Sequence, residues 1–361
     1  MIEARLRDYV ERLYPGRKVV KVEPLAPDSG ATAGTVEKAA GYGLPVRLVL
    51  EGARESERLE IVWRVASSNV FGHERRADRA AGTIQAFEDF LHVPEHVVAV
   101  DLGVIGVDGT LTSIRDVSEL FLVTTFAPGT MYIDDLRRVA ETGTARAADI
   151  ERLDRLARYL ASLHVRLDDP VAYRRAIRDL VGSGEGIYGI VDGYPPAVPG
   201  APESRLREIE ERCASWRWRL RGRGDRLTRT HGDFHPFNIV FGPVGELALL
   251  DASRGACGDP ADDLAALAIN FVFLAIDRRE SWPHGLGVLW REWWKRYLAY
   301  RDDPEVLEVV PPFLAWRALV VANPRFYPAL SERGRHALLE LAERVLEEDR
   351  LDPAVAEDLF R

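Results

Sequence analysis

Three polar side chains in one short stretch of the chain have the types and the spacing that phosphoryl transfer requires. Asp233 precedes Asn238 by five residues, and Asp251 follows after a short apolar run. The intervening sequence predicts a hairpin, with a strand over residues 239–241, a turn rich in Gly and Pro, and a second strand over residues 247–250. The hairpin would bring Asn238 and Asp251 to the same end of paired strands, with Asp233 on the loop that leads into the first strand.

Carboxylate and amide oxygens are the ligands that magnesium uses in proteins. Two carboxylates and one amide at a hairpin end therefore predict a magnesium site on Asn238 and Asp251, with Asp233 left over as a base. Phosphoryl transfer needs a metal that neutralises the triphosphate and a group that orients a hydroxyl by accepting its proton. A surface hairpin with incidental acids is the alternative.

At the residue level this stretch resembles the aminoglycoside phosphotransferase and choline kinase-like family, relatives of the protein kinases. That family carries a His-Gly-Asp-x-x-x-x-Asn loop. Here the loop runs from His231 to Asn238, and its Asp is Asp233. After a short hairpin it has an Asp that holds metal, which here is Asp251. A later Gly-Asp-Pro segment also fits, and its Asp259 and Asp263 are expected to cap the loop and the helix behind it.

The resemblance implies an α+β fold of two protein-kinase-like lobes. Residues 1–128 would form an N-terminal nucleotide-binding lobe, an antiparallel sheet with one helix. Residues 129–361 would form a mainly helical lobe that carries the catalytic and substrate-binding groups. The sequence has this order, since strand patterns and two helix patterns, over about residues 2–13 and 72–91, precede Gly129 and amphipathic helical patterns follow it.

The resemblance also implies nucleotide-binding residues in the first lobe. Gly41 and Gly43, in a turn-rich segment, would place backbone N–H groups over the phosphates, although an ordinary long turn is the alternative. Arg64, in a strand predicted over residues 59–65, stands where the family usually has lysine, and a guanidinium can also bridge phosphate oxygens. An outward-facing strand residue is its alternative. Glu74, on the helix predicted next, would pair with this cation.

The hinge between the lobes is expected at an apolar run over residues 120–126, which stops at Pro128-Gly129. The run predicts a strand, and the order along the chain places the purine-binding backbone here. Leu122, Val123 and Thr125 would then contact the nucleotide. A buried strand that ends in a plain turn is the alternative.

Five further side chains are candidates for contact with the acceptor or the transferred phosphate: Glu185, Asp192, His235, Arg254 and Asp262. Glu185 and Asp192 lie on a loop-like, acidic segment in the part of the chain that shapes the acceptor pocket in relatives. A simple connecting loop is the alternative. His235 and Arg254 lie near the transferred phosphate by chain position. Asp262 is a candidate because nearby acids approach cationic acceptors in this family.

Composition narrows the possible partners. The formal net charge is −9 over 361 residues, which disfavours binding to nucleic acid or to an anionic membrane surface. Cys213 and Cys257 have neither metal-site spacing nor a disulfide framework, as suits a reducing cytosol. The N-terminus is charged from Glu3, and no apolar run reaches the length of a membrane span. We expect a cytoplasmic protein.

These observations predict a magnesium-dependent kinase that transfers the γ-phosphoryl group of ATP, or of GTP, to a hydroxyl of a small metabolite or aminoglycoside-like acceptor. A non-catalytic nucleotide-binding regulator is an alternative that Arg64 and the untidy glycine loop favour. The intact set of Asp233, Asn238 and Asp251 opposes it. A protein Ser/Thr kinase is a second alternative, disfavoured because the interval from Asp251 to Asp263 is too short for an activation segment.

Overall fold

The computed structural model describes residues 2–25, 45–52 and 58–361. They form two compact units, which divide between Thr124 and Thr125. Gly41 and Gly43, predicted to contact the nucleotide phosphates, lie outside the described residues. In the part of the chain that is described, no helix is both long enough and apolar enough to span a membrane.

The N-terminal unit contains small antiparallel sheets and two helices. The helices are α1 (Ile2–Leu13) and α2 (Arg76–Asp89), and the strands are β1 (Lys18–Pro24), β2 (Val46–Glu51), β3 (Leu59–Trp63), β4 (Gly103–Ile105) and β5 (Leu111–Ser113). The strands β1, β2 and β3 form one sheet in that order, and β4 pairs with β5. The helix α1 is amphipathic and buries Leu6 and Val10 against Leu48 and Leu50 of the sheet.

The C-terminal unit is mainly helical. Its helices are α3 (Tyr132–Thr142), α4 (Ala147–Leu163), α5 (Pro170–Gly182), α6 (Ile187–Asp192), α7 (Glu203–Leu220), α8 (Pro260–Ile276), α9 (Leu286–Tyr300), α10 (Val306–Val309), α11 (Pro311–Ala322) and α12 (Glu332–Glu347). Its strands are β6 (Thr130–Met131), β7 (Thr228–Arg229), β8 (Ile239–Phe241), β9 (Leu247–Leu249) and β10 (Cys257–Gly258). The antiparallel strands β6, β8 and β9 form one small sheet, and β7 pairs with β10.

The helix α8 is the centre of the C-terminal core. Its sequence is apolar on all sides except near its start, which is typical of a helix enclosed by others. It packs against α9 and α11, and α11 packs in turn against α12. Large buried side chains such as Trp293 and Phe271 fill this core. The start of α8, where the acidic residues lie, is therefore fixed by packing and can serve as a rigid support for the preceding loops.

The α+β architecture predicted from the sequence is confirmed. Small antiparallel sheets lie in the N-terminal unit and helices dominate the C-terminal one. The predicted hairpin is present, because β8 spans Ile239–Phe241 and β9 spans Leu247–Leu249. In the N-terminal unit α1 precedes the sheet, in addition to the helix α2 that follows it.

Two elements that the sequence predicts in the N-terminal unit begin or end differently from the expectation. The strand β3 ends at Trp63, so Arg64 lies beyond it and is exposed. Trp63 pairs with Val46, the first residue of β2, so the ladder between the two strands ends there. The helix α2 begins only at Arg76, so Glu74 precedes it.

The predicted strand over residues 120–126 was wrong. In the described structure these residues belong to no strand, and the side chains of Leu122 and Val123 are more than three-quarters exposed. An apolar run becomes a strand only when a neighbouring strand accepts and donates its backbone hydrogen bonds. No strand among the described residues pairs with this run, and sequence periodicity could not show that.

Candidate active site

The loop that carries Asp233 is braced from behind by Asp263 of α8. The carboxylate of Asp263 is fully buried and accepts hydrogen bonds from the N–H groups of His231 and Gly232, each at 2.8 Å. His164 lies 3.1 Å from the same carboxylate, so it is a packed histidine rather than a solvated helix end. Gly232 has a φ of 82°, in the left-handed region that favours glycine. A carboxylate thus fixes the backbone immediately before Asp233.

Asp259 has the capping role that the sequence predicted. Its carboxylate accepts from the Ala261 N–H at the start of α8, at 3.0 Å. It also forms a two-pronged ion pair with the buried guanidinium of Arg226. The contacts of Asp259 therefore hold the start of α8, and with it Asp263, from outside the loop that carries Asp233.

The hairpin places Asn238 and Asp251 at one end, as its sequence predicted. The Leu250 N–H donates to the carbonyl oxygen of Asn238 at 2.9 Å, one residue beyond the paired strands. Asp251 follows directly, with a φ of 50°, a left-handed conformation that turns the chain out of β9. The two side chains therefore leave adjacent positions of the same hairpin end.

The carboxylate of Asp233 is held unequally at its two oxygens. Its Oδ1 accepts a hydrogen bond from Nη1 of Arg317 at 2.7 Å and lies 3.6 Å from Nη1 of Arg254. Its Oδ2 has longer contacts, with Nε2 of His235 at 3.3 Å and Nδ2 of Asn238 at 3.4 Å. Burial alone would raise the pKa of Asp233, but the His235 hydrogen bond and the charges of Arg317 and Arg254 outweigh it and hold that pKa well below its ordinary range.

Asn238 and His235 each use one side-chain nitrogen to shape the loop. Nδ2 of Asn238 donates to the backbone carbonyl of Asp233 at 3.1 Å, so the amide oxygen Oδ1 is the group that remains for a ligand. Nδ1 of His235 accepts from the Phe237 N–H at 3.3 Å. Nε2 of His235 lies between Oδ2 of Asp233, at 3.3 Å, and Nδ2 of Asn238, at 3.1 Å.

The residues at the hairpin end fit a magnesium ion. Asp251 is exposed, and hydrogen bonds from Ser253 lower the pKa of its carboxyl group, so the group is ionised and accessible. Together with Oδ1 of Asn238 it offers hard oxygen ligands. Among the described residues there is no cluster of three or more His, Cys, Asp or Glu side chains that could enclose a metal. Magnesium commonly takes only one or two protein ligands and completes its shell with phosphate oxygens and water.

A second group of side chains lies beside Asp233 and joins the α5–α6 loop to α11. Nε of Arg254 lies 3.0 Å from the Glu185 carboxylate. Nε1 of Trp316 donates to the carbonyl oxygen of Glu185 at 3.0 Å. The guanidinium groups of Arg254 and Arg317 lie over the Trp316 ring, at 4.9 Å and 4.0 Å from its centroid. The predicted acceptor residue Glu185 is therefore linked to the candidate base through Arg254.

Asp262, predicted to contact the acceptor, is paired to the same centre from the other side. Its Oδ1 accepts from Nη2 of Arg317 at 2.7 Å. Burial raises the pKa of Asp262 to about 6, against the opposing charge of Arg317. Arg317 thus bridges two carboxylates, Asp233 and Asp262.

Sequence reasoning missed Arg317 and Trp316. Arg317 lies 84 residues beyond Asp233, on α11, and no local spacing links the two. One signal was present, because Arg317 is the only charged residue in the otherwise apolar sequence of α11. A charge inside a buried helix requires a partner, so its position could have indicated a site.

The other predicted contacts lie apart from this cluster or in the other unit. Asp192 is the last residue of α6 and is exposed, and among the described residues it forms no hydrogen bond or ion pair with the groups around Asp233. Arg64 and Thr125 are exposed. Glu74 is partly buried, and its backbone carbonyl accepts a hydrogen bond from Nη1 of Arg79 at 3.0 Å.

Comparison with known families places the chain in a class. The model of the phosphotransferase enzyme family matches residues 75–308, more than half of the sequence. The chain therefore belongs to this family of enzymes, which confirms the resemblance seen in the His-Gly-Asp loop and the hairpin. No curated protein sequence matches it.

The solved structures that match include three kinases. A glucosamine kinase in complex with glucosamine, ADP and inorganic phosphate shares 18% identity over 60% of this chain and 58% of its own, with a TM-score of 0.38. The choline kinase LicA from Streptococcus pneumoniae shares 12% over 96% and 99%, with a TM-score of 0.33. An amicoumacin kinase shares 14% over 96% and 95%, with a TM-score of 0.33. The chain thus spans little more than half of the glucosamine kinase. These likenesses assign no residue and no substrate to this protein.

Proposed function

We propose that this protein is a small-molecule kinase that transfers the γ-phosphoryl group of ATP, or of GTP, to a hydroxyl of a small metabolite or aminoglycoside-like acceptor. The observation that carries the proposal is the arrangement around Asp233. This carboxylate is buried, ionised and fixed by ion pairs, and its Oδ2 lies 3.4 Å from Nδ2 of Asn238, at the hairpin end that also bears Asp251. Family membership supports the same reaction class.

Asp233 would act on the acceptor hydroxyl. An ionised carboxylate accepts a hydrogen bond from the hydroxyl and orients its oxygen, and it takes the proton as the oxygen bonds to phosphorus. Its low pKa makes it a weak base, so orientation contributes more than proton abstraction early in the reaction. His235 and Arg254 lie next to this carboxylate and would stabilise negative charge there.

Asn238 and Asp251 would hold magnesium through Oδ1 of the amide and the exposed carboxylate. The ion would neutralise charge on the phosphate oxygens of the bound nucleotide. The hairpin fixes both ligands on one rigid element, which is the geometry a site needs to hold its ligands in register. Asp263 would serve the same purpose for the loop of Asp233.

The N-terminal unit would bind the nucleotide. Arg64 would contact phosphate and pair with Glu74. Gly41 and Gly43 would offer backbone N–H groups to the phosphates. The chain around Leu122, Val123 and Thr125 would hold the base. These roles rest on the order of the residues along the chain.

The experiment is a product assay with the pure protein. ADP or GDP release is measured with magnesium and either nucleotide against a panel of amino alcohols, sugars and aminoglycosides, for the wild type and for Asp233→Asn and Asp251→Asn. The control is Asp349→Asn, since the Asp349 side chain is 92% exposed and, among the described residues, pairs only with Arg219. Nucleotide affinity is measured for each variant in parallel.

The wild type is expected to consume nucleotide only with a suitable acceptor. Asp233→Asn should lower kcat by about 10³-fold and still bind nucleotide, because a positioned acid–base group contributes about 10²–10⁴-fold. Asp251→Asn should also weaken binding of the magnesium–nucleotide complex. Full turnover by Asp233→Asn would refute the mechanism. Nucleotide binding without turnover on any acceptor, in all variants, would favour the non-catalytic regulator.

A further inference from the structure

Arg317 is a charged side chain in a place that would otherwise be apolar. It is the only charged residue of α11, and its side chain is 6% exposed. Burying a guanidinium costs free energy unless it is paired and hydrogen bonded, and a well-packed apolar residue of similar volume often serves stability as well or better. Its Nε has no hydrogen-bond partner among the described residues. Stability of α11 therefore does not explain why an arginine lies here.

The contacts of Arg317 converge on the candidate base. Nη1 donates to Oδ1 of Asp233, and Nη2 donates to Oδ1 of Asp262, both at 2.7 Å. Nη2 also lies 3.2 Å from the carbonyl oxygen of Gly232, immediately before the base. The ring of Trp316 covers the guanidinium at 4.0 Å. A planar group committed to two carboxylates and one ring face has little freedom to rotate.

The result is an asymmetric carboxylate. Both guanidinium groups near Asp233, from Arg317 and Arg254, lie on the side of Oδ1. The contacts of Oδ2 are 3.3 Å and 3.4 Å long, at the weak end of hydrogen bonding. The strong contact at Oδ1 sets the plane of the carboxylate and leaves Oδ2 as the oxygen with capacity to accept another hydrogen bond.

We propose that Arg317 is a positioning residue that holds Oδ1 of Asp233 and so presents Oδ2 to the acceptor hydroxyl. The proposal rests on the proposed function of Asp233. Arg317 touches neither acceptor nor nucleotide in this role and acts only through Asp233. Its second carboxylate, Asp262, anchors the guanidinium from the side of α8.

The test compares Arg317→Met and Arg317→Lys with a matched control, Arg335→Met. Arg335 is also a buried arginine of the C-terminal unit, 5% exposed, and its Nε donates to the carbonyl oxygen of Ala322 at the end of α11. It lies outside the cluster around Asp233. For each variant we would measure kcat, the KM values for acceptor and nucleotide, and Tm.

Arg317→Met should lower kcat by about 100-fold and leave both KM values within about threefold, because misplacing a reacting group by about 1 Å costs about 10²-fold in rate. Arg317→Lys should recover part of the lost kcat, since an ammonium can reach Asp233 but cannot serve two carboxylates at once. Arg335→Met should lower Tm with kcat within about twofold of the wild type. Equal loss of kcat in Arg317→Met and Arg335→Met, or unchanged kcat in Arg317→Met, would overturn the proposal.

A crystal structure of Arg317→Met, or of Arg317→Lys if the first variant does not fold, shows the orientation of the Asp233 carboxylate. This observation does not require the enzyme to turn over. The Asp233 carboxylate should rotate from its wild-type plane towards Arg254, and an unmoved carboxylate would overturn the proposal. This readout separates the two hypotheses. If the wild type phosphorylates no acceptor, the proposed function fails while the structure still tests the positioning. If the wild type is active, Asp233→Asn is inactive and Arg317→Met is fully active, only the positioning role fails.

Discussion

Removing the carboxylate of Asp263 should destabilise the C-terminal unit far more than removing an exposed one. Asp263→Ala takes away the acceptors of two buried N–H groups, those of His231 and Gly232. A buried donor left without a partner costs about 1–3 kcal/mol, and hydrogen bonds to a charged group are at the upper end of the usual range. The two losses together predict a decrease of about 3–6 kcal/mol in the free energy of unfolding.

The conservative variant Asp263→Asn should cost less. One amide oxygen can still accept from one of the two N–H groups, while the NH₂ that replaces the other oxygen faces an N–H and cannot accept. The expected loss is therefore about 1–3 kcal/mol, from one broken bond and the lost charge. We therefore expect the wild type to be the most stable protein, Asp263→Asn to be less stable and Asp263→Ala to be the least stable.

Urea unfolding followed by tryptophan fluorescence measures this loss. Except for Trp63, all the tryptophans lie between residues 216 and 316, so the signal reports on the C-terminal unit. The dependence of the unfolding free energy on urea should keep its slope, which shows that the same surface unfolds. The control Asp349→Asn should change stability by at most about 0.5 kcal/mol, as exposed ion pairs do. A loss below about 1 kcal/mol in Asp263→Ala would refute the bracing role.

Three further predictions concern the same region. Gly232→Ala should lower both stability and kcat, because at its φ of 82° a Cβ is strained and would meet the Gly255 carbonyl oxygen at 2.9 Å; melting curves and rates unchanged from wild type would contradict this. Asp262→Asn should flatten the pH dependence of stability. The pKa of Asp262 in the folded protein is about 6, against an ordinary 3.8. Its contribution to stability is therefore fully present below about pH 4 and is lost as pH rises through 6, by at most about 3 kcal/mol. Unfolding free energies at pH 4 and pH 7 measure the difference, and equal slopes in both proteins would refute it. Trp316→Phe should raise the acceptor KM severalfold with nucleotide KM unchanged, because it removes the hydrogen bond to Glu185 but keeps a ring; an unchanged acceptor KM would show that this link does not shape the acceptor site.

The parts of the site that are local in sequence could be predicted from it. Asp233 and Asn238 are five residues apart, and the turn that follows fixes a hairpin, so the end of β9 must return Asp251 to the same place. The N-cap Asp259, followed by Pro260, is likewise a local signal for the start of α8. Short-range rules of turns, strands and caps are sufficient for these elements.

The parts that depend on distant partners could not. The end of β3 before Arg64 is set by the point where its pairing with β2 stops, and the run over residues 120–126 needs a partner strand that its own sequence does not reveal. Arg317 reaches Asp233 only because α11 packs on α8, which no spacing along the chain encodes. These failures share one cause, which is that pairing and packing between remote segments decide them.

The ion pairs give the carboxylates of Asp233 and Asp251 different surroundings. The guanidinium groups of Arg317 and Arg254 lie on the Oδ1 side of Asp233. A magnesium ion at Asp233 would therefore have to compete with these two fixed cations. Asp251 forms no ion pair within the described residues. Its Oδ1 accepts a hydrogen bond from the Ser253 N–H at 3.1 Å. A cation is therefore attracted to Asp251 and repelled from the surroundings of Asp233. We infer that Arg254 and Arg317, besides fixing the base, keep the metal at the hairpin end, and that removing either would allow magnesium to inhibit by binding at Asp233. Magnesium titration of Arg317→Met, which removes the charge, against the wild type would test this, since inhibition at high magnesium in both proteins alike would contradict it.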